Sequence, residues 1–575
     1  MEELRAAIKT MHLSKAAGID GIYPEMIAHL GTKALEWLAG VMSDAIKTGR
    51  YCHLWRRARV LAILKPSKPA EDPDSYRPIS LLCCTYKLLE RIVLSRITPI
   101  VDPEIPPEQA GFRANRSTVE QIVALTSLIE SGFEKKLKTG AVFVDLSSAY
   151  DTVWREGLMY KLANIIKDQR LLKLIARMTG TRTFLVSSGG ENSSLHKLKN
   201  GVPQGSVLAP TLFNVYMRDL PETLSWKLGY ADDWAIVSQA NTIPTLEMNL
   251  STDMTILSKY FDRWYLKMNI GKTVTTVFHL NNREANLKLR VTADGRPLPN
   301  ESKPKYLGIT LDRSLTFKDH LENSKQKLKK RTSIIRKLTG TTWGASQNVL
   351  RTSAVALCYS VAEYGSPAWA RSSHTSKVDT LLNENMRLIS GTLKSTPLEW
   401  LPTMCNIAPP AVRREEANQK LHNKIVSAPP DLPIARIIDQ APTSSRLRSR
   451  KPFYKSSIPN YNANTHWRET WEANRPTNGL LIQDPTLAIP GFATARRREW
   501  AYSNRLLSKH GRTNQNLARW GMSETAECPR CGHHTQDTDH IILECPHTAI
   551  DGGYQVVLRC DEHFRRWLLE SRVEV

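Results

Sequence analysis

At 575 residues the chain is longer than one hydrophobic core normally organises, so about three or four structural units are expected. No run approaches the roughly 18 uninterrupted apolar residues of a membrane span, and Met1-Glu-Glu-Leu-Arg5 lacks the cationic and then apolar order of a secretory signal; no membrane association or secretion is expected, and an intracellular place, in nucleus and cytoplasm, is. Against 56 Asp and Glu stand 79 Lys and Arg, and the net charge of +23 suits a polyanionic partner, nucleic acid before others.

Residues 1–140 alternate helical patterns with proline-rich loops, such as Asp102-Pro-Glu-Ile-Pro-Pro107, and predict a helix-rich lobe with basic loops. Within it Cys83 and Cys84 lie in an apolar stretch and are expected in the core. Nine cysteines, an odd number scattered along the chain, fit a reducing compartment better than a disulfide framework. From Gly140 the pattern changes: Ala141-Val-Phe-Val-Asp145 is a short apolar run ending in an acid, which predicts a strand that delivers a carboxylate at its end. Leu228-Gly-Tyr-Ala-Asp-Asp233 is a second such unit, and Trp234-Ala-Ile-Val237 then resumes a β-like run, so two acids sit in a tight turn between strands. Beyond Asp312, Leu321, Leu328 and Ile335 recur at seven-residue spacing among Lys325, Lys327, Lys329, Lys330 and Arg331, an amphipathic helix with a basic outer face. Helical patterns follow over about 345–365 and 377–393. Residues 428–480, rich in Pro, Ser and Arg, read as a poorly structured basic linker, most positive at 436–455. Near the end, Cys528-x2-Cys531-x8-His540-x4-Cys545 offers three sulfurs and an imidazole, a closed tetrahedral set for structural Zn²⁺, with His547 as a substitute for His540.

Two strand-end carboxylates that meet in space can hold a pair of divalent cations, one activating an attacking 3′-hydroxyl and one neutralising a leaving pyrophosphate. Asp145 and Asp232 are the candidates, and hard oxygen ligands suit Mg²⁺. Each piece alone is weak: an acid ending a strand is commonly a cap or turn residue, and a Tyr-x-Asp-Asp tetrapeptide arises often by chance.

The order of the pieces separates these readings, because from about Lys15 to Asp312 the chain resembles the reverse transcriptase family with the motifs in the family's order. Phe143-Val-Asp-Leu-Ser-Ser-Ala-Tyr-Asp151 resembles the first palm motif. That implies Asp145 as a metal ligand, Leu146 as the source of a main-chain carbonyl, and Tyr150 as the bulky side chain under the sugar that clashes with a ribose 2′-hydroxyl; core packing is the bland alternative for Tyr150. Gly201-Val-Pro-Gln-Gly-Ser206 is similar to the loop that packs on template and incoming nucleotide, a role that falls to Gln204 and Gly205. Tyr230-Ala-Asp-Asp233 is similar to the catalytic turn, which implies Asp232 as a metal ligand beside a second acid, Asp233. Lys272 stands where the family has a lysine near the departing pyrophosphate, a solvated surface lysine being the alternative. Ser75-Tyr-Arg-Pro-Ile-Ser-Leu-Leu82 resembles the finger motif whose arginine, here Arg77, meets the triphosphate, a bidentate task suited to guanidinium, with Lys65 assisting. Gln109-Ala-Gly-Phe-Arg113 and Tyr306-Leu-Gly308 match a further finger segment and the primer grip, and both would hold nucleic acid.

Lys15-Ala-Ala-Gly-Ile-Asp-Gly-Ile22 resembles an extension that non-LTR (LINE-type, jockey-like) retrotransposon enzymes carry before the fingers. The resemblance implies an α+β right-hand polymerase fold: N-terminal extension and fingers over 1–140, a palm with an antiparallel sheet over 141–312 (the reverse transcriptase domain overall about 45–312), thumb and helical connector over 313–427, a basic linker over 428–515, and a small zinc-knuckle-like CCHC module over 516–575. It implies an RNA-directed DNA polymerase using two Mg²⁺ ions, or Mn²⁺, together with structural Zn²⁺. The partners implied are an RNA template, a DNA primer and target, deoxynucleoside triphosphates, and a separate endonuclease activity. Competing readings are a catalytically silent nucleic-acid-binding remnant of an element and, further off, an RNA-directed RNA polymerase, whose class favours Gly-Asp-Asp in the turn, or an intron maturase, which should lack the terminal cysteine cluster.

Overall fold

The computed structural model describes residues 1–66, 68–340, 343–443, 446–447 and 450–575. It divides into two compact units, the first made of Met1–Gly308 with Pro429–Pro442 and the second of Ile309–Ala428 with Thr443–Val575.

The first unit is built on two sheets. The smaller pairs β1 (Arg57–Leu64) with β2 (Tyr76–Leu81) antiparallel and with β4 (Arg182–Ser188) parallel, while the short β5 (Glu191–Asn192) and β6 (His196–Leu198) extend β4. The larger sheet takes β3 (Lys138–Val144), β7 (Trp226–Tyr230), β8 (Asp233–Ala240) and β9 (Val274–Phe278) in the order β7-β8-β3-β9, each pair antiparallel. β3 is buried from Thr139 to Val144, which is why its run is apolar without alternation. The helix Ile243–Arg263 covers this sheet through Leu246, Leu250, Met254, Leu257 and Phe261, spaced three or four apart so that they share one face. Gly140 lets that helix close on β3, since a Cβ there would lie 2.9 Å from Leu250 Cδ1.

The helix Thr118–Glu134 is buried from Glu120 through Glu134 despite its polar residues. It packs against β7 and β3, and against the short helix Pro433–Asp439. That helix anchors through Ile434 and Ile437, the Arg436 guanidinium lies 5.0 Å from the Trp226 ring, and Lys135 Nζ donates to the Gln440 carbonyl at 3.3 Å. Residues 428–480 therefore depart from the poorly structured linker expected. They carry the helices Pro433–Asp439 and Ala463–Ala473, each fixed by two apolar side chains one turn apart, Ile434 with Ile437 and Trp467 with Trp471, among Pro and Arg that mask the period. Ser444, Ser445, Arg448 and Ser449, in the stretch expected to be most positive, lie outside the described residues.

The second unit is mostly helical. In the helix Lys318–Lys337, Leu321, Leu328 and Ile335 are all fully buried, as the heptad spacing implies, and the helix packs on Ser376–Ser390. A second core gathers Trp400, Trp471, Trp500, Phe564 and Trp567. Residues 516–575 thus share a core with residues from 400 onward instead of forming a small independent module, because Val556, Phe564 and Trp567 bury apolar area that a knuckle of this length could not cover by itself.

Candidate active site

β3 and β8 are in register with Val144 opposite Trp234, so one step further along the same edge stand Asp145 and Asp233. β7 and β8 form a hairpin closed by the pair Tyr230 and Asp233, leaving Ala231 and Asp232 as a two-residue turn. Ala231 holds φ at 61°, a left-handed conformation that costs a residue with a Cβ about 1–2 kcal/mol. On its other flank Asp145 is fixed through its backbone: its N–H donates to Thr273 Oγ1 at 3.1 Å, and its carbonyl accepts from the Asn269 N–H at 2.8 Å. The turn after Met268 is closed by Lys272, whose N–H donates to the Asn269 carbonyl at 3.1 Å.

The electrostatics are those of carboxyls drawn out of water, with like charge adding to it at Asp232 and Asp233. The Asp145 carboxyl is raised by burial and lowered by the charges of Lys272 and then Lys65. Burial is also the main cause that raises Asp232, with Asp145 adding to it. Asp233 is exposed, yet the protein around it displaces water, and the charges of Asp232 and Asp145 add to that, so its carboxyl is pushed up to about 6. A cluster of hard oxygens that disfavours its own negative charge fits a site for divalent cations.

Lys65 follows β1 and Arg77 lies on β2, across from Ile63, so both occupy the tip of one hairpin. Arg77 is exposed, and Lys65 Nζ donates to the Asp74 carbonyl at 2.8 Å. The Tyr150 ring stacks on Phe213 at 4.8 Å, with Phe112 edge-on at 6.4 Å. Its hydroxyl is raised by burial and then by the Asp232 charge, which places the ring beside the turn. Leu146 is buried in the core. Gly205 adopts φ of 118°, and a Cβ there would lie 2.4 Å from the Ser80 carbonyl oxygen, so only glycine permits this approach. The Gln204 carbonyl accepts from the Ser80 N–H at 2.8 Å, which ties this loop to β2.

Two residues organise these loops: Glu90, for which the sequence pointed to no role, and Gln109, expected only as part of a finger segment. Glu90, 1% exposed, accepts from the Ser206 hydroxyl and from the Val207 N–H at 2.9 Å, just before the helix Ala209–Tyr216. Gln109, 2% exposed, binds the backbone of Ala231. The only signal for Glu90 was an acid inside the apolar run Leu88–Val93. Within the two segments expected to hold nucleic acid, Arg113 and Tyr306 bond inside the protein, while Phe112 is exposed. Arg113 donates to Asp102, Ile105, Pro106 and Gln109 and so fastens its own loop, while Tyr306 is buried and donates to the Leu228 carbonyl at 3.1 Å.

In the second unit, Cys528, Cys531, His540 and Cys545 bring their ligand atoms within 4.8 Å of one another. Cys528 Sγ and Cys545 Sγ are 4.0 Å apart, and Cys531 Sγ lies 3.3 Å from His540 Nε2. Zn–S bonds of about 2.3 Å would set sulfurs about 3.8 Å apart at the edge of a tetrahedron, so the four residues fit that ion. Among the described residues His547 belongs to no such group.

Residues 63–311 match the family described as reverse transcriptase (RNA-dependent DNA polymerase). The chain carries a reverse transcriptase domain. The three aspartates, Lys272, Tyr150 and the Gln204–Gly205 loop all fall inside it. Outside the domain, similarity extends to mobile-element proteins. The chain is 33% identical over 406 residues to a probable RNA-directed DNA polymerase from transposon BS of Drosophila melanogaster, covering 68% of this chain and 44% of that protein. It is 32% identical to the RNA-directed DNA polymerase from mobile element jockey of the same fly, with the same two shares covered. The Pol polyprotein of type-1 retrotransposable element R1 from Bradysia coprophila is 24% identical over 570 residues, which covers 95% of this chain and 54% of that one. These relatives are proteins of mobile elements, and the chain spans about half their length.

Proposed function

We propose that this chain is an RNA-directed DNA polymerase of a non-LTR retrotransposon, extending a DNA 3′-hydroxyl on element RNA by two-metal phosphoryl transfer. The observation that carries the reading is the meeting of Asp145, Asp232 and Asp233 at one end of the antiparallel sheet, with the charges of Lys272 and Lys65 acting on Asp145.

The three carboxylates would hold two Mg²⁺ ions, or Mn²⁺, and such ions supply the activation of the 3′-hydroxyl and the neutralisation of the pyrophosphate. Lys272, exposed and with its charge acting on Asp145, would meet the departing pyrophosphate as a counter-charge or acid. Lys65 and Arg77, at one hairpin tip, would grip the triphosphate. Tyr150, packed on Phe213 beside the turn, would exclude a ribose 2′-hydroxyl, and Gln204 with Gly205 would pack on the template and the incoming nucleotide. In this reading residues 1–140 serve as extension and fingers, 141–312 as palm, and 313–427 as thumb and connector. Cys528, Cys531, His540 and Cys545 hold a structural Zn²⁺.

The test is extension of a DNA primer on an RNA template with Mg²⁺ and deoxynucleotides, beside Asp232→Asn. Extension that the variant loses supports the polymerase and its aspartates. Equal template binding by both chains with no extension by either would sink the reading in favour of a silent binding protein.

A further inference from the structure

The catalytic turn is gripped from outside the hairpin by one side chain. Gln109 Nε2 donates to the Ala231 carbonyl at 2.9 Å, and its Oε1 accepts from the N–H groups of Ala231 and Gly111, each at 2.8 Å. Both polar groups of the Ala231 backbone are thereby paired, as a neighbouring strand would pair them, and both lone pairs of Oε1 are used. The segment that carries Gln109 is itself in register with β7: the Ala110 N–H donates to the Gly229 carbonyl at 2.9 Å, and the Gly229 N–H to the Glu108 carbonyl at 3.0 Å. The approach leaves no room, since a Cβ on Gly111 would lie 2.2 Å from the Ala231 nitrogen. Asn214 Nδ2 holds the Gly111 carbonyl at 2.8 Å from the other side.

We propose that Gln109 is a positioning residue for the metal-binding turn: its amide locks Ala231 in the left-handed conformation and so fixes the direction in which Asp232 and Asp233 face Asp145. This deepens the polymerase reading and rests on it for the role of the aspartates. Two pressures act on the turn, the cost of φ at 61° for an alanine and the mutual repulsion of three carboxylates, and both would be relieved if the turn relaxed. A buried amide with both ends bonded to backbone resists that relaxation and is not free to touch a nucleic acid.

Gln109→Met keeps the side chain's size and removes all three bonds, whereas Gln109→Glu keeps an acceptor and sets a carboxylate oxygen against the Ala231 carbonyl. Two readouts are taken: Mn²⁺ binding by electron paramagnetic resonance, with Asp232→Asn as the site control, and primer extension with kcat, nucleotide KM and Mg²⁺ dependence separated. Both variants should bind Mn²⁺ and turn over roughly 10- to 100-fold more weakly and slowly, as supporting residues around metal ligands do, with nucleotide KM moved by less than about twofold. Mn²⁺ binding within about twofold of the parent in either folded variant would overturn the inference. If Gln109→Met does not fold, Gln109→Glu decides. If the parent extends no primer, the polymerase reading fails while the Mn²⁺ titration still decides the role of Gln109, and a parent that binds no Mn²⁺ through Asp232 overturns both.

Discussion

Without a counter-ion, Asp145, Asp232 and Asp233 are a destabilising element of their own fold. The Asp233 carboxyl is raised from 3.8 to about 6, with burial first and the neighbouring charges second. The folded chain therefore holds that proton more tightly than the unfolded one, and stability should fall as pH rises from about 4 to 6 and stay reduced above that. Asp233→Asn is expected to raise the stability of the metal-free protein at pH 7.5 by on the order of 1 kcal/mol, a modest figure because this exposed group is screened by water. It should also flatten the acid-side pH dependence and abolish the added stability from Mg²⁺; thermal melts with and without the ion would show all three. The aspartates themselves were legible in the sequence, since a strand-end acid and a two-acid turn are local patterns. Gln109 and Glu90 were not, because their partners are backbone groups at Ala231 and Val207, more than a hundred residues away.

Elements announced themselves where one face is buried and the other wet. The helix Lys318–Lys337 is the clearest: its apolar heptad sits in the core while Lys329 and Lys330 point to solvent. The two faces should separate under mutation. Leu328→Ala should cost about 2–5 kcal/mol of stability. The double change Lys329→Glu with Lys330→Glu should alter stability by under about 0.5 kcal/mol but weaken RNA binding and reduce its dependence on salt, which filter binding across a salt series would measure. The helix Thr118–Glu134 shows the opposite case. Its polar residues suggest a wet face, yet Pro433–Asp439, some three hundred residues on, covers it and removes that face from water. β1 and β2 escaped notice because the alternation of Arg57-Ala-Arg-Val60 lasts only four residues before the unbroken apolar run Leu61–Leu64, which ends exposed, and because β2 carries Pro78.

Over the whole molecule the chain enters the second unit after Gly308, returns to the first for Pro429–Pro442, and leaves it again. The cysteine cluster lies in the second unit, where Cys545 is fully buried and Ile541 and Ile542, a few residues before it, join the second core. Loss of a bound ion should therefore be felt beyond the last sixty residues. Chelation, or Cys545→Ser, is expected to release about one Zn²⁺ per chain and to lower hydrogen-exchange protection in the helix Arg497–Leu507 as well as around the cluster. Release without any change in that helix would show the cluster to be energetically local.

The sequence by itself determined the chemistry of the site: which residues are acids, that two of them end strands, that one basic helix has a wet face, and that four terminal residues have metal-binding spacing. These are read along the chain because strand and helix periodicity and turn composition act over a few residues. Only the tertiary structure decided how the site is held. That Gln109 clasps Ala231, that Glu90 holds Val207, and that Tyr306 donates to Leu228 all depend on distant backbone groups that must be paired once buried, and that Pro433–Asp439 belongs to the first unit depends on packing equally far along the chain. The demand to satisfy buried polar groups is general, but which side chain meets it is settled only when the chain has folded.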